Sequence, residues 1–217
     1  MTIPQNALPL VLMTDGFPEE FDFYNDQFPP LDALTYWHFL KTAKKVIEIG
    51  CGYSTLLPFK ADKDITAVDP EPRVMYPEIP YFEKRVQDIP IKNLTCLEAN
   101  DILFIDSSHI FSDGSDVKYL IEEVLPKLKK GVLIHFHDYF HEDGYPREWS
   151  EKPEMKDWNE NEHVLKLIQS GQYTVLAINY EISKHHNDKL LKAYPSVPTD
   201  ITQNLGAVKG ASLWIKK

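Results

Sequence analysis

Two short stretches hold most of the side chains able to do chemistry, FIDSSHIFSDG at residues 104–114 and LIHFHDYFHEDGYPREW at residues 133–149. Asp106 and His109 stand three apart in the first; His135, His137, Asp138 and His141 crowd the second. Asp106, His137 and Asp138 offer the oxygen and imidazole atoms that suit a divalent ion, which would hold an acceptor's hydroxyls. Alternatively, His109 or His137 serves as a general base, since imidazole titrates near neutral pH. A bland reading competes for two residues: His135 as a hydrogen-bonded core histidine, and His141 as a solvated loop residue.

These groups need a scaffold that brings them together. Short apolar runs at residues 46–49, 65–68, 82–86, 102–105, 132–136, 173–178 and 211–215 read as strands. Between them, residues 54–60, 116–129 and 159–170 read as helices, the second with Val117, Leu120, Ile121, Val124, Leu125 and Leu128 on one face. A further helix at 31–44, with Asp32 as its N-cap, follows a Pro- and aromatic-rich cover at 1–30. Strands alternating with helices predict an α/β fold with a mostly parallel sheet and helices on both faces. Ligands of such sheets bind at the carboxyl ends of the strands. That rule selects Glu48 to Gly52, Asp69, Asp88, Asp106 and the pair His137-Asp138.

The first strand leads into VIEIGCGYSTLL, residues 46–57. Gly50 and Gly52 permit a tight turn and close approach of a ligand to the backbone, and the helix start exposes N–H groups. Asp69, at the end of the second strand, can accept both hydroxyls of a ribose. These positions predict a nucleoside-containing cofactor. A dinucleotide fingerprint would place a third glycine where Thr55 stands. Glu48 would also oppose a pyrophosphate and welcome a cationic amino-acid tail.

With ITAVDPEP at 65–72, ILFIDSSH at 102–109 and the closing GASLWIKK at 210–217, this pattern resembles class I S-adenosylmethionine-dependent methyltransferases over about residues 44–217. The resemblance implies a Rossmann-like, seven-stranded sheet with an antiparallel C-terminal strand. It implies that Glu48, Gly50 and Gly52 contact the methionine part of the cofactor, Asp69 the ribose and Asp88 the adenine amino group, with Asp106 at the cofactor edge. Asp-x-x-His after the fourth strand, followed by an acidic pair after the fifth, is similar to metal-dependent sugar O-methyltransferases of macrolide and aminocoumarin pathways. There the acids bind magnesium and the histidine acts as base. Asp106 and His109 match that pattern. At the pair, His137-Asp138 stands where two acids are expected, leaving Mg²⁺, a softer divalent ion or no metal open. The implied activity is methyl transfer to a small-molecule hydroxyl of a sugar or secondary metabolite. Two alternatives are an NAD(P)-dependent oxidoreductase on the same sheet type and a non-catalytic S-adenosylmethionine-binding protein.

The aromatic stretch Tyr139, Phe140, Tyr145, Pro146 and Trp149 reads equally as a substrate lid or an ordered surface loop. Trp158, Asn161 and Glu162 open the next helix, where they could face the acceptor, although a Trp at a helix start reads more readily as core packing; residues 151–162 read as a mostly exposed, charged connection. His185-His186 reads as part of a solvated insertion.

The chain has 217 residues, of which 43% are hydrophobic, enough for one core and one domain: 1–43 as cover and helix, 44–217 as Rossmann-like core. A net charge of -10 argues against nucleic acid as a partner, because phosphate binding needs clustered Lys and Arg. Two cysteines, Cys51 and Cys96, make no disulfide framework, and with no signal peptide or membrane span in evidence the expectation is a cytoplasmic protein. Oligomeric state is not readable from these features.

Overall fold

The computed structural model describes residues 15–25, 27–193 and 210–217. Residues 1–14, the start of the expected N-terminal cover, and residue 26 lie outside them, as do residues 194–209. In chain order the principal elements are α1 (Pro30–Leu40), β1 (Lys45–Ile49), α2 (Leu56–Lys60), β2 (Asp64–Val68), β3 (Tyr81–Phe82), α3 (Ile91–Leu94), β4 (Ile102–Ile105), α4 (Asp116–Tyr119), β5 (Leu133–Phe136), α5 (Arg147–Ser150), α6 (Glu160–Gln169), β6 (Thr174–Ile178), α7 (Asn179–Ala193) and β7 (Leu213–Lys216). The strands form one seven-stranded sheet in the order β3-β2-β1-β4-β5-β7-β6, with β7 antiparallel to both neighbours. This is the expected Rossmann-like arrangement.

The central strands are apolar on both faces because both faces are covered. Val46, Phe104, Leu133 and Trp214 pack with α1, Leu57 of α2 and Ile182 of α7. Ile47, Leu103, Ile105 and Ile134 pack on the other side with Leu120, Val124, Val164 and Ile168. The exceptions to apolarity lie in one row. Glu48 pairs with Phe104, Phe104 with His135, and His135 with Trp214. The row faces α1, where Tyr36 stacks on Phe104 at 4.6 Å. His135 is fully buried in this layer, 3.9 Å from the Phe104 ring centroid, with Nε2 2.6 Å from Ser212 Oγ. It is a core histidine, as expected.

Two residues beyond that row the ladder places Gly50, Asp106 and His137 side by side. The Gly50 amide donates to Val68, the Asp106 amide to Ile49 and the His137 amide to Ile105. Parallel strands of matched length thus deliver three motifs to one edge.

Several local expectations change. Pro29 occupies the α1 N-cap position, and the Asp32 carboxylate turns away from the helix to accept from the amides of Ala211 and Ser212 at 2.8 and 3.0 Å. The predicted third strand at 82–86 shrinks to Tyr81–Phe82. The helix read at 116–129 begins as α4, widens into a π turn at Leu120–Val124 and tightens to a 3-10 turn at Leu125–Lys127, where Pro126 has no N–H to give. The stretch holding His185-His186 is helical, interrupted at His186, with His185 exposed to solvent. No helix among the described residues is long and apolar enough to cross a membrane.

Candidate active site

At the β1 edge the two glycines do different things. Gly50 has φ of +82°, and a Cβ there would lie 1.6 Å from the Asp106 carbonyl oxygen. What presses on Gly50 is therefore the neighbouring strand end. Gly52 has extended backbone, φ -165°, and a Cβ there would meet nothing within 4 Å. The open space belongs to Gly52.

Glu48 sits beneath this turn, fully buried. One carboxyl oxygen accepts from the hydroxyls of Ser54 and Thr55, and the other has no partner among the described residues. Burial raises its pKa to about 8, against the lowering effect of the two hydroxyls. Asp69, half-buried at the end of β2, accepts from the Cys51 amide with one oxygen and the Glu71 amide with the other, each at 2.8 Å. It anchors the turn and stays at the surface of the cleft. Asp88 lies exposed in a 3-10 turn, Val86–Asp88. An S-adenosylmethionine fits this edge by its chemistry: a cationic amino acid for the unpartnered Glu48 oxygen, and room over Gly52.

The second half of the site is built from four separate segments. Asp106 and His109 follow β4, His137 and Asp138 follow β5, Glu160 opens α6 and Asp32 comes from α1. His109 Nε2 lies 3.4 Å from Asp106 Oδ1 and 3.6 Å from Asp138 Oδ2. His137 Nδ1 lies 3.6 Å from Asp106 Oδ2 and 3.4 Å from Asp138 Oδ1, while its Nε2 is 3.4 Å from Asp32 Oδ2. One ligand atom from each of Asp106, His109 and Asp138 falls within 4.8 Å of the others. His137 is not part of that set; it lies on the inner side of both carboxylates, against the Phe28 ring. The sequence expectation named Asp106, His137 and Asp138 for a metal; the cluster that could hold one has His109 in place of His137.

The charges are strongly coupled. Burial alone would push both imidazole pKa values down. For His109, the bonds to Asp106 and Glu160 outweigh it and raise the pKa to about 10. For His137, Asp138 and Asp106 outweigh it and hold the ring well above its ordinary value. Burial opposes ionisation of Asp106, but His137 and His109 keep its carboxyl well below the usual range. His109 and Asp138 also adopt left-handed backbone, φ +58° and +53°. Such strain in non-glycine residues gathers where a site requires a particular side-chain direction.

Three residues here escaped the sequence reading. Glu160 falls in the stretch read as an exposed connection, yet it is buried, with Oε2 2.8 Å from His109 Nδ1. His141, read as solvated, is buried with Nδ1 3.3 Å from Glu181. Asp32 was assigned to a helix cap. No periodicity marks these positions, because each contact crosses between distant segments. Trp158 is half-buried and covers the His109 ring at 4.2 Å; it is part of the site wall and not core packing. Tyr145 and Trp149 pack on Trp158 at 5.6 and 5.7 Å, so the aromatic stretch after β5 is ordered against the site.

Residues 47–139 match the family model described as a methyltransferase domain. The match covers less than half of the chain, from β1 to just past β5. Among solved structures, the chain is similar to the S-adenosylhomocysteine-bound Podospora anserina methyltransferase PaMTH1, with 16% identity over 98% of this chain and 88% of that one and a TM-score of 0.46. No curated protein matches significantly.

Proposed function

We propose that the protein acts as a single domain that transfers the methyl group of S-adenosylmethionine to a hydroxyl of a small molecule, a sugar or secondary metabolite, at a divalent-cation site made by Asp106, His109 and Asp138. The observation that carries this reading is the convergence of two carboxylates and one imidazole within 4.8 Å, at the strand ends beside the glycine turn. Two acids facing an imidazole nitrogen repel its lone pair unless a proton or a cation lies between them. A divalent ion held there would supply a Lewis acid for the acceptor's oxygens.

The chain's own residues divide the remaining work. Glu48 and the Gly52 turn hold the cofactor's amino-acid part, and Asp69 and Asp88 its ribose and adenine. Asp106 belongs to both halves and sets the distance between donor and acceptor. The acceptor oxygen forms its bond to the methyl carbon as the carbon–sulfur bond breaks, and that electron pair returns to sulfur as a neutral thioether. The hydroxyl proton passes to Asp138. His137 keeps its own proton at neutral pH and balances Asp32, Asp106 and Asp138, which favours a positioning role over base or metal ligand. Positioning of the two reactants supplies much of the acceleration.

A metal-free reading gives His109 the role of base, and the Glu160 hydrogen bond favours it. Against it, an imidazole raised to about 10 is already protonated near pH 7 and cannot take a second proton. Calorimetric titration with S-adenosylmethionine and S-adenosylhomocysteine, with and without Mg²⁺ or Mn²⁺, tests the proposal. Micromolar cofactor binding with a separate metal-dependent heat is expected, and methyl transfer to a member of a vicinal-diol sugar panel should follow. Cofactor binding without any metal heat would return the base role to His109.

A further inference from the structure

His109 is gripped by a single stretch, residues 158–160. The amides of Asn159 and Glu160 both donate to the His109 carbonyl, at 3.0 and 3.1 Å. Trp158 covers the ring, and Glu160 Oε2 meets Nδ1 at 2.8 Å. The start of α6 therefore holds both the strained backbone of His109 and the rotation of its imidazole.

A neutral imidazole has one N–H and one lone pair, and the hydrogen bond at one nitrogen decides what the other can do. An ionised carboxylate only accepts. Paired with Glu160, Nδ1 carries the hydrogen whether the ring is neutral or charged, so the proton that a divalent ion would displace is the one on Nε2. That nitrogen is the one facing Asp106 and Asp138. Glu160 is costly to the fold: it is buried, and its second oxygen has no partner among the described residues. The described partner of its carboxylate is His109 alone.

We infer that Glu160 is the positioning residue of the site: it fixes His109 in the Nδ1–H form and so turns Nε2 into a donor toward a divalent ion shared with Asp106 and Asp138. The second half of this inference rests on the cation proposed above; the first half does not. Glu160→Gln keeps an acceptor for Nδ1 and isolates the positioning effect, whereas Glu160→Ala leaves the buried Nδ1–H unpaired and costs stability as well.

The test compares the wild-type chain with Glu160→Gln and Glu160→Ala. In ¹⁵N-histidine-labelled protein, the wild type should show a His109 Nδ1 proton that exchanges slowly with water. Glutamine keeps an acceptor and should retain the signal at higher field; alanine should lose it. In Mn²⁺ titrations the alanine variant should bind about 10–100-fold more weakly and the glutamine variant less so. S-adenosylhomocysteine affinity should stay within about twofold in all three. Equal Mn²⁺ affinity across the series, or no protected Nδ1 proton in the wild type, overturns the inference. A lower melting temperature with loss of S-adenosylhomocysteine binding also overturns it, showing a structural role. Where the wild type binds no Mn²⁺, the cation reading fails; the Nδ1 signal then decides, and its loss in the alanine variant with retention in glutamine upholds the positioning role. If alanine does not fold, an unchanged Nδ1 shift and Mn²⁺ affinity in the glutamine variant overturn it.

Discussion

The two halves of the proposed site, one proposed for the cofactor and one for the acceptor, are built in opposite ways. The cofactor half is local: Glu48, Gly52, Ser54 and Thr55 lie within eight residues and bond to one another, and Asp69 joins from the adjacent strand. The acceptor half gathers Asp32, Asp106, His109, His137, Asp138 and Glu160 from four segments far apart in the chain. The first half keeps one acid neutral by burial; the second packs ionised groups against each other. A local turn therefore tolerates change in its surroundings, whereas the acceptor cluster depends on each element reaching its place.

The sharpest way to break this contrast is Gly50→Ala. Its Cβ would collide with the Asp106 backbone, so it should disrupt both halves together and destabilise the fold by more than about 4 kcal/mol. Chemical denaturation measures this, and near wild-type stability would show that the two strand ends are not locked. Next, His109→Ala should lower turnover by about 10²–10⁴-fold, the span of a lost proton-transfer or ligand group, with cofactor affinity almost intact. Single-turnover assays check this, and parallel loss of cofactor binding would mean that the halves are not separable. Asp69→Ala should weaken S-adenosylmethionine binding by about 10–100-fold, the range of charged hydrogen bonds, leaving Mn²⁺ binding unchanged.

A smaller effect follows from Glu48. Its carboxyl keeps its proton up to about pH 8, whereas an unfolded glutamate loses it near 4.5. Below about 8, binding a cationic cofactor must expel that proton, so affinity should rise with pH by up to about tenfold per unit and level off above about 8. Glu48→Gln should flatten that profile in titrations at pH 6–9. By the same linkage, the ligand-free fold loses stability as pH climbs from 4.5 through about 8, because the native state holds a proton that the unfolded chain has released. Finally, Gly52→Ala should change stability by less than about 1 kcal/mol, as its surroundings are open, while lowering cofactor affinity. A large stability loss there would show that the space is needed by the protein itself.

The sequence by itself determined the strand-end positions, the glycine turn and the identity of the charged residues at the cleft. These follow from short-range rules: apolar runs make buried strands, glycine makes the turn, and parallel register aligns what comes next. It also marked His135 as core, because an alternating partner on a buried strand has to pack. Tertiary structure alone decided that His109, rather than His137, joins Asp106 and Asp138 as a candidate ligand group, with one atom from each within 4.8 Å of the others. His109 and Asp138 turn through left-handed backbone, and no periodicity predicts the direction of a side chain there. It likewise decided that Asp32 reaches β7 and the His137 ring, and that Glu160 folds under His109. Those contacts join positions more than fifty residues apart or more, and their energy depends on burial, which only the packed elements create.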